Sequence, residues 1–574
     1  MLRIARRWVG WLCLGAIFLM GCAAGVLKEA VFVDLPPTEQ PFSLPENHAA
    51  TALPDDNFSS PKQAVTQPSL IPAAAFTTLW IDPAIPAGLR NSLILREDVF
   101  PAEDREGASL RLEIGEGQPK AEWVYVLAAP FPTLVDEVSL ADVQSGWSGK
   151  GGGSFGEIPL MMSPATLLAF SQMWGPPTPG GVRILDDSEL LATAWKEMPS
   201  WAILPFEDLS PRWKVIRVNG MSPLDNTFQS DLYPLTVRFA LSGALDKKTG
   251  VFFKSTNRDP QKLTVLVMTG VTALVRATAA KMEKLGMGYP GRDIGMLLKS
   301  ADLTHISNEV SFVSECTPAN PYQTTLMFCS RPEYITLLQE IGADIIELTG
   351  NHLVDWRRSA LTESLALYQE YGMHTYGAGE DLESAMQPLL VEHNGNRLAF
   401  LGCNPAGPEA VWATEDRAGA APCDYEWMKE EIGRLRADGY LPVVTLQYFE
   451  SYSFIPTPGE QRDFPPLAEA GAVIVSGSQA HYPQGMTFVG DSFVHYGLGN
   501  LFFDQMYMPV PGSETDKILS GTRKEFIDRH VFYDGRYIGT ELLTALLEDF
   551  AKPRPMTAEE RLEMLNSAFE NSSW

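Results

Sequence analysis

The sequence places three side chains that can hold a metal ion at the end of a predicted buried strand. The apolar run 344–349 is followed by Asn351 and His352, and Asp355 comes one helical turn later. Imidazole nitrogen, amide oxygen and carboxylate oxygen together suit divalent first-row metals such as Mn²⁺ or Zn²⁺. Each side chain also has a structural explanation, because Asn351 can cap the next helix and Asp355 can cap it or orient a hydrogen-bonded His352. The hexapeptide therefore predicts a site only together with residues elsewhere in the chain.

The elements that would position these side chains are predicted between residues 262 and 510. Apolar runs alternate there with helical patterns, which is typical of an α/β domain. Strands are predicted at 264–268, 303–306, 344–349, 398–401, 443–446 and 472–475, and helices at 273–285, 332–341 and 358–371. The stretch 511–574 is mixed and charged, and it is predicted as a C-terminal extension that ends in a helix at 558–569.

Five blocks of this region, in order, resemble the CapA family of capsule or poly-γ-glutamate synthesis proteins, also called PgsA-type. The blocks are Thr269-Gly270-Val271-Thr272; Ala301-Asp302-Leu303-Thr304 with Ser307-Asn308-Glu309; Gly350-Asn351-His352 with Asp355-Trp356-Arg357; Gln447-Tyr448-Phe449 with Ser451-Tyr452 and Pro456-Thr457-Pro458; and Gly477-Ser478-Gln479-Ala480-His481 with Gly497-Leu498-Gly499-Asn500. The resemblance implies an α-β-β-α sandwich of the calcineurin-like metallophosphatase type over residues 256–510. It also implies a role in the synthesis, export or attachment of an extracellular polymer.

Three departures from the family pattern bear on the chemistry. Val271 stands where the family has a metal-binding Asp, and Gln447 and Gln479 stand where it has His. A two-metal phosphoesterase needs carboxylates and imidazoles to hold both cations, and valine cannot ligate at all. The side chains that remain suit one divalent metal, Mn or Zn, and suit two poorly. The predicted metal ligands are Glu309, His352 and His481.

The same residues also fit a polar binding cleft without hydrolytic chemistry, so whether the protein is an enzyme stays open. Glutamine keeps the size and hydrogen-bonding capacity of histidine but loses most of its metal affinity. Glu309 can also be a solvated residue at a strand end. The predicted cleft comprises Glu309, Asn351, His352, Gln447, Gln479 and His481, and the catalytic candidates are Asn351, His352 and Asp355.

An N-terminal α/β domain is predicted over residues 76–255. The stretch 138–143 leads into Gly146-Trp147-Ser148-Gly149, and 202–209 leads into 215–223. Both resemble type 2 periplasmic solute-binding proteins of the phosphate-binding kind. The Ser-rich turns with which that family contacts phosphate are not evident near Asp82-Pro83-Ala84, so a small anionic ligand is a hypothesis here.

The N-terminus predicts export and lipidation. Arg3, Arg6 and Arg7 precede an apolar run that is short for a membrane span and typical of a signal peptide. The run closes at Leu19-Met20-Gly21-Cys22, which resembles a bacterial lipobox. We therefore predict a signal peptide at 1–21, a lipidated Cys22 that anchors the protein to the cell membrane on its extracytoplasmic side, and a Pro-rich tether at 22–75. The alternative is an uncleaved anchor helix with an incidental cysteine.

Of the six cysteines, Cys13 lies in the predicted signal peptide and Cys22 is the predicted lipidation site. The other four permit two disulfides outside the cytoplasm. Three pairings are possible, and the prediction is the sequence-local one, Cys316–Cys329 and Cys403–Cys423. Zinc binding is the alternative, but the sequence contains no CxxC pair.

The formal net charge of −27 excludes nucleic acid as a partner. Three functions remain. The leading hypothesis is a surface lipoprotein that works with capsule synthesis machinery and binds an anionic extracellular polymer. The second is a metal-dependent hydrolase of phosphoester or amide bonds, and the third is an extracytoplasmic solute receptor.

Overall fold

The computed structural model describes residues 31–34, 76–150, 153–245, 249–505 and 520–574. The predicted signal peptide, Cys22 and the rest of the tether lie outside the described residues. The chain forms three large β-sheets with helices packed against them, so the predicted α/β class is confirmed. In the described part of the chain, no helix is long and apolar enough to cross a membrane.

The N-terminal sheet is built around one long strand, Lys120–Pro130, whose residues from Trp123 onward are buried. Its strands lie in the order Val99–Pro101, Thr77–Ile81, Leu110–Ile114, Thr236–Gly243, Lys120–Pro130, Trp201–Pro205, Leu160–Met162 and Val182–Ile184, and Trp213–Val218 pairs with both Lys120–Pro130 and Glu137–Val138. Its helices are Ala87–Asn91, Leu140–Trp147, Pro164–Trp174 and Asp187–Lys196. A short ladder joins Ile94–Leu95 to Val251–Phe252.

Two further sheets face each other and form a sandwich. The first has the order Val31–Asp34, Leu389–His393, Asn396–Cys403, Leu441–Gln447, Ile474–Ser478, Ser492–His495 and Met486–Val489. The second has the order His374–Tyr376, Ile345–Glu347, Leu303–Asn308, Leu263–Thr272, Lys524–Tyr533, Arg536–Glu548 and Lys552–Pro555, and Asn500–Phe502 also pairs with Leu263–Thr272. A small ladder joins Ala378–Gly379 to Gly419–Ala420.

Apolar side chains fill the space between the two sandwich sheets, and helices cover their outer faces. Met268, Phe400 and Val443 lie in the central cluster. The helices are Arg276–Leu285, Gly295–Leu298, Ile335–Glu340, Arg358–Glu370, Leu382–Met386, Tyr425–Ala437, Pro458–Asp463, Pro465–Glu469 and Ala558–Glu570. Short 3₁₀ turns occupy Gly153–Phe155, Phe206–Asp208, Pro260–Lys262, Tyr289–Gly291, Pro332–Tyr334 and Glu409–Val411. The arrangement is α-β-β-α.

Residues after 520 complete the sandwich instead of forming a separate extension. The strand Lys524–Tyr533 pairs antiparallel with Leu263–Thr272 on one side and with Arg536–Glu548 on the other. Charged residues such as Glu525 and Asp528 obscured this strand in the sequence, yet both are buried. The helix predicted at 273–285 begins at Arg276, because the Ala273 amide still donates to Phe502 O at 3.0 Å and so belongs to the sheet edge.

One short strand lies within the predicted tether. Val31–Asp34 runs parallel to the edge strand Leu389–His393. The tether therefore meets the sandwich at this edge.

Two disulfides each close a loop of the sandwich. The structure joins Cys316 to Cys329 and Cys403 to Cys423, which is the sequence-local arrangement.

The N-terminal domain is tied to the sandwich by ion pairs. Arg561 makes a bidentate contact to Asp136 at 2.7 and 2.8 Å, and Arg217 contacts Glu541 at 3.2 Å. Its core is also continuous with Val265, Val531 and Ile538 of the sandwich.

Candidate functional site

The predicted cleft residues lie at one edge of the sandwich, where strands of both sheets end. Glu309 follows the strand Leu303–Asn308, and Asn351 and His352 follow Ile345–Glu347 in the second sheet. Gln447 ends Leu441–Gln447 in the first sheet. Because the carboxyl ends of parallel strands share an edge, segments far apart in sequence meet here.

Gln447 joins the two sheets through its side-chain amide. Its Nε2 donates to Glu309 Oε1 and to Asn351 Oδ1, both at 3.4 Å. Its Oε1 accepts a hydrogen bond from Ser478 Oγ at 2.7 Å, which fixes the orientation of the amide. The N–H₂ group therefore takes up two oxygens that would otherwise be available to a cation.

Glu309 is buried and only partly satisfied. Its Oε2 has no hydrogen-bond partner, and its Oε1 lies 4.0 Å from His352 Nε2, too far for a hydrogen bond. Gly350 lets the neighbouring loop pack against the Glu309 backbone, since a Cβ at residue 350 would lie 2.6 Å from Glu309 Cα. The alternative interpretation of Glu309 as a solvated strand-end residue is wrong, because the residue is 2% exposed.

His352 is held by Asp355, which is one of the two roles that the sequence allowed for this carboxylate. Its Nδ1 lies 2.6 Å from Asp355 Oδ2, and its ring packs edge-on against Phe328 at 4.7 Å between centroids. Burial disfavours the imidazolium, but the hydrogen bond to Asp355 and the charge of Glu309 outweigh it and raise the pKa of His352 above its ordinary value. Asp355 also accepts from the Phe328 amide at 2.9 Å, so it braces a second loop.

Gln479 and His481 lie on a turn with unusual backbone geometry. Both have positive φ, at 70° and 55°, a conformation that non-glycine residues adopt rarely and at a cost. Both side chains are buried. His481 Nδ1 lies 2.8 Å from Asn500 Oδ1, while its Nε2 lies 3.9 Å from Glu450 Oε1. Gln479 Oε1 has no hydrogen-bond partner.

The predicted metal ligands do not form a metal-binding group within the described residues. Among the described residues, no three or more His, Cys, Asp or Glu side chains form a group that could hold a metal ion. The predicted ligand set of Glu309, His352 and His481 is therefore corrected: Glu309 faces His352, whereas His481 faces Glu450. Val271 is fully buried in an apolar cluster with Phe328 and Phe503.

Several neighbours of the cleft were not identified from the sequence. Glu450 and Tyr452 lie on the loop after Gln447, and the Tyr452 hydroxyl donates to Glu450 Oε2 at 2.8 Å. The Arg276 guanidinium lies over the rings of Phe328 and Phe503 and pairs with the buried Asp504 at 3.3 Å. Glu450 could have been identified from the sequence, because it is a charged residue three positions after the cleft residue Gln447. No sequence feature indicated that Arg276 lies near the cleft.

A buried polar network lies behind the cleft. Glu347 is buried beside Glu309, and both burial and that negative charge raise its pKa, although Thr349, Ser307 and Thr445 hydrogen-bond to it. From Thr445 the network continues through the Tyr376 hydroxyl, at 2.9 Å, to His305 Nε2, at 2.7 Å. Burial lowers the pKa of His305 to about 3, so this imidazole is neutral at physiological pH.

Comparison with known proteins supports the resemblance over the sandwich. Residues 265–505 match the family described as bacterial capsule synthesis protein PGA_cap. The capsule biosynthesis protein CapA of Bacillus anthracis is 23% identical over 279 residues, which cover 47% of this chain and 67% of that protein. A probable polyglutamine synthesis accessory protein of Mycobacterium tuberculosis is 25% identical and the PGA biosynthesis protein CapA of Bacillus subtilis is 22% identical. The matches cover 32% and 30% of this chain, and the chain spans about half the length of both relatives, 51% and 46%.

Similarity to solved structures is low. The 5′-nucleotidase precursor of Thermus thermophilus aligns with a TM-score of 0.31 at 14% identity, over 53% of this chain and 58% of that protein. An ABC-type phosphate transport receptor of Vibrio cholerae aligns with a TM-score of 0.23 at 11% identity, over 26% of this chain and 75% of that protein. At these TM-scores neither likeness establishes a fold or an activity for this chain.

Proposed function

We propose that this protein takes part in the synthesis, export or attachment of an extracellular polymer of the poly-γ-glutamate kind. In this proposal the cleft binds the polymer instead of hydrolysing phosphoesters with two metals. The observation that carries it is the amide of Gln447, which donates to both Glu309 and Asn351. An uncharged hydrogen-bond donor thus lies between Glu309 and Asn351, and the cleft residues offer amides and one imidazole.

The chemistry of the cleft suits an amide-linked, anionic chain. Each γ-glutamyl unit presents one amide N–H, one carbonyl and one carboxylate. Side-chain amides such as those of Asn351 and Gln479 can exchange hydrogen bonds with the backbone amides of such a chain. The raised pKa of His352 favours its protonated form, and a protonated imidazole can pair with a carboxylate. Glu309 and Glu450 oppose anions, so amide recognition has to supply the affinity.

The location and partners belong to the same proposal. The protein is anchored outside the cytoplasm through a lipidated Cys22 and works beside capsule synthesis machinery. The N-terminal domain is proposed as a periplasmic-binding-like module with a small anionic ligand. The supporting observation is its mixed α/β sheet around Lys120–Pro130.

Binding of oligo-γ-glutamate of defined length to the purified full-length protein tests the proposal, with a chelator present throughout. Asn351→Ala and Gln447→Ala remove one neutral hydrogen-bonding side chain each. We expect each to cost about 0.5–1.5 kcal/mol, or roughly 2- to 12-fold in Kd. Asn566→Ala and Gln339→Ala are matched controls at exposed positions and should bind like the wild type. No measurable binding by folded wild-type protein would refute the proposal.

A metal-dependent hydrolase is the second candidate. It is favoured by Glu309, whose buried Oε2 has no partner and whose Oε1 lies 4.0 Å from His352 Nε2. Elemental analysis of protein purified without chelator, followed by assays on phosphoester and amide substrates, separates the candidates. Two bound metals per chain, with activity lost on chelation, would favour the hydrolase.

A further inference from the structure

Exposed apolar side chains lie on the three loops that carry or adjoin the cleft residues Glu309, His352 and Gln447. We call them the apolar rim, and they lie on three loops that follow the strands Leu303–Asn308, Ile345–Glu347 and Leu441–Gln447. Their exposed fractions range from 38% to 71%, which is high for side chains of this type. The rim comprises Leu326, Met327, Trp356, Phe449, Tyr452 and Ile455.

The first two loops are braced against each other, and the third is braced against the segment that follows the strand Asn500–Phe502. The Cys316–Cys329 disulfide closes the first loop, and Phe328 within that loop packs on His352 and donates from its amide to Asp355. On the third loop, the Tyr452 hydroxyl accepts from Gln505 Nε2 at 3.0 Å. Several large exposed apolar side chains on loops at one edge of a domain indicate a contact with a partner or a membrane.

The direction of the chain shows which side of the molecule faces the predicted lipid anchor. Val31–Asp34 is parallel to Leu389–His393, which is antiparallel to Asn396–Cys403, which is parallel to Leu441–Gln447. Val31–Asp34 is therefore antiparallel to the strand that ends at Gln447. Val31 lies level with Phe400 and Val443, four residues before Gln447, so the Val31 end of the short strand points toward the side of the sandwich that carries the cleft and the apolar rim.

The chain between the predicted anchor and this strand is short. Val31 comes nine positions after Cys22, and a fully extended chain of that length spans about 30 Å. A lipidated Cys22 thus keeps Val31 within about 30 Å of the bilayer surface.

We infer that the apolar rim contacts the phospholipid bilayer that carries the anchor, so that the cleft opens toward the membrane surface. Trp and Tyr side chains such as Trp356 and Tyr452 favour the interfacial region of a bilayer, where the ring is apolar and its polar atom stays hydrated. The formal charge of −27 opposes anionic lipid, so zwitterionic lipid is the preferred contact. In this orientation, polymer reaches the cleft along the membrane surface.

A spin label on the rim tests this orientation in the full-length, processed protein reconstituted into phosphatidylcholine liposomes. Cys22 carries the lipid and the other four mature cysteines form disulfides, so Ile455→Cys adds a single free thiol. Ile184→Cys is the matched control on the N-terminal sheet, because Ile184 is 54% exposed and Ile455 is 59% exposed. Phe449→Cys provides a second rim position if the first variant folds poorly.

We expect the label at residue 455 to be more accessible to oxygen than to a water-soluble nickel chelate, and the label at residue 184 to show the reverse. Equimolar phosphatidylglycerol should reduce the contrast between the two positions. Equal, water-like accessibility at both positions would overturn the inference, and so would protein that fails to float with the liposomes. Protection of residue 455 by oligo-γ-glutamate but not by lipid would overturn it while supporting the proposed polymer binding.

Discussion

Replacing Asp355 by Asn should lower the pKa of His352, and this is the sharpest test of the site's electrostatics. His352 Nδ1 lies 2.6 Å from Asp355 Oδ2, and both side chains are largely buried, at 17% and 16% exposed. A hydrogen bond to a charged group contributes about 1.5–3 kcal/mol, and one pKa unit corresponds to about 1.36 kcal/mol. The expected decrease is therefore roughly one to two units.

An NMR titration of ¹³C-labelled histidine measures this shift directly. The chain has 8 histidines, and the resonance of His352 is identified as the one that is absent from the His352→Gln variant. His374 is the internal control, because burial alone lowers its pKa and it should titrate identically in both proteins. A His352 pKa that does not change in folded Asp355→Asn would refute the assigned hydrogen bond.

The same substitution should change how stability depends on pH. Because the native pKa of His352 is raised, the native state binds more protons than the unfolded chain. This contribution is fully present below the unfolded value of about 6.5 and is lost as pH rises through the native pKa. The difference in unfolding free energy between wild type and Asp355→Asn should shrink as pH rises across that window. Denaturant unfolding at several pH values measures it, and a difference that grows with pH would contradict the assignment.

Four further predictions address other parts of the molecule. A variant that combines Val271→Asp, Gln447→His and Gln479→His restores three ligands of the family pattern and should bind metal more tightly in equilibrium dialysis. Each good ligand adds about a kcal/mol or more once its surroundings orient it, and tight binding of two metals by the wild type would contradict this expectation. Cys22→Ser should leave the protein unprocessed or release it from the membrane fraction, whereas unchanged mass and fractionation would argue against lipidation. Non-reducing peptide mapping should recover both sequence-local disulfides, and four free thiols would exclude them. Burial lowers the pKa of His530 to about 4, so between about pH 6.5 and pH 4 the unfolded chain binds more protons than the native state and the free energy of unfolding decreases as pH falls. His530→Gln should make this decrease smaller in acid unfolding curves. An unchanged dependence of the unfolding free energy on pH would contradict this.

Local sequence patterns were enough to indicate which kinds of side chain the cleft contains. Strand ends such as Gly350-Asn351-His352 were readable because apolar runs stop there, and the substitutions at Val271 and Gln447 were visible from the order of the blocks alone. The α/β class followed for the same reason, since burial imposes an apolar pattern that local residues carry.

How those side chains contact one another could be seen only in the folded chain. Gln447 donates to Glu309 across 138 residues of sequence, and no local pattern specifies a contact of that range. The predicted ligands also have neighbours that the sequence did not indicate, since His481 Nε2 lies 3.9 Å from Glu450 Oε1 and Glu309 Oε1 lies 4.0 Å from His352 Nε2. The strand Lys524–Tyr533 was missed because its charged side chains are buried within the sandwich, where the long-range pairing with Leu263–Thr272 places them. Burial of charge depends on partners that are distant in sequence, and those partners exist only in the folded chain.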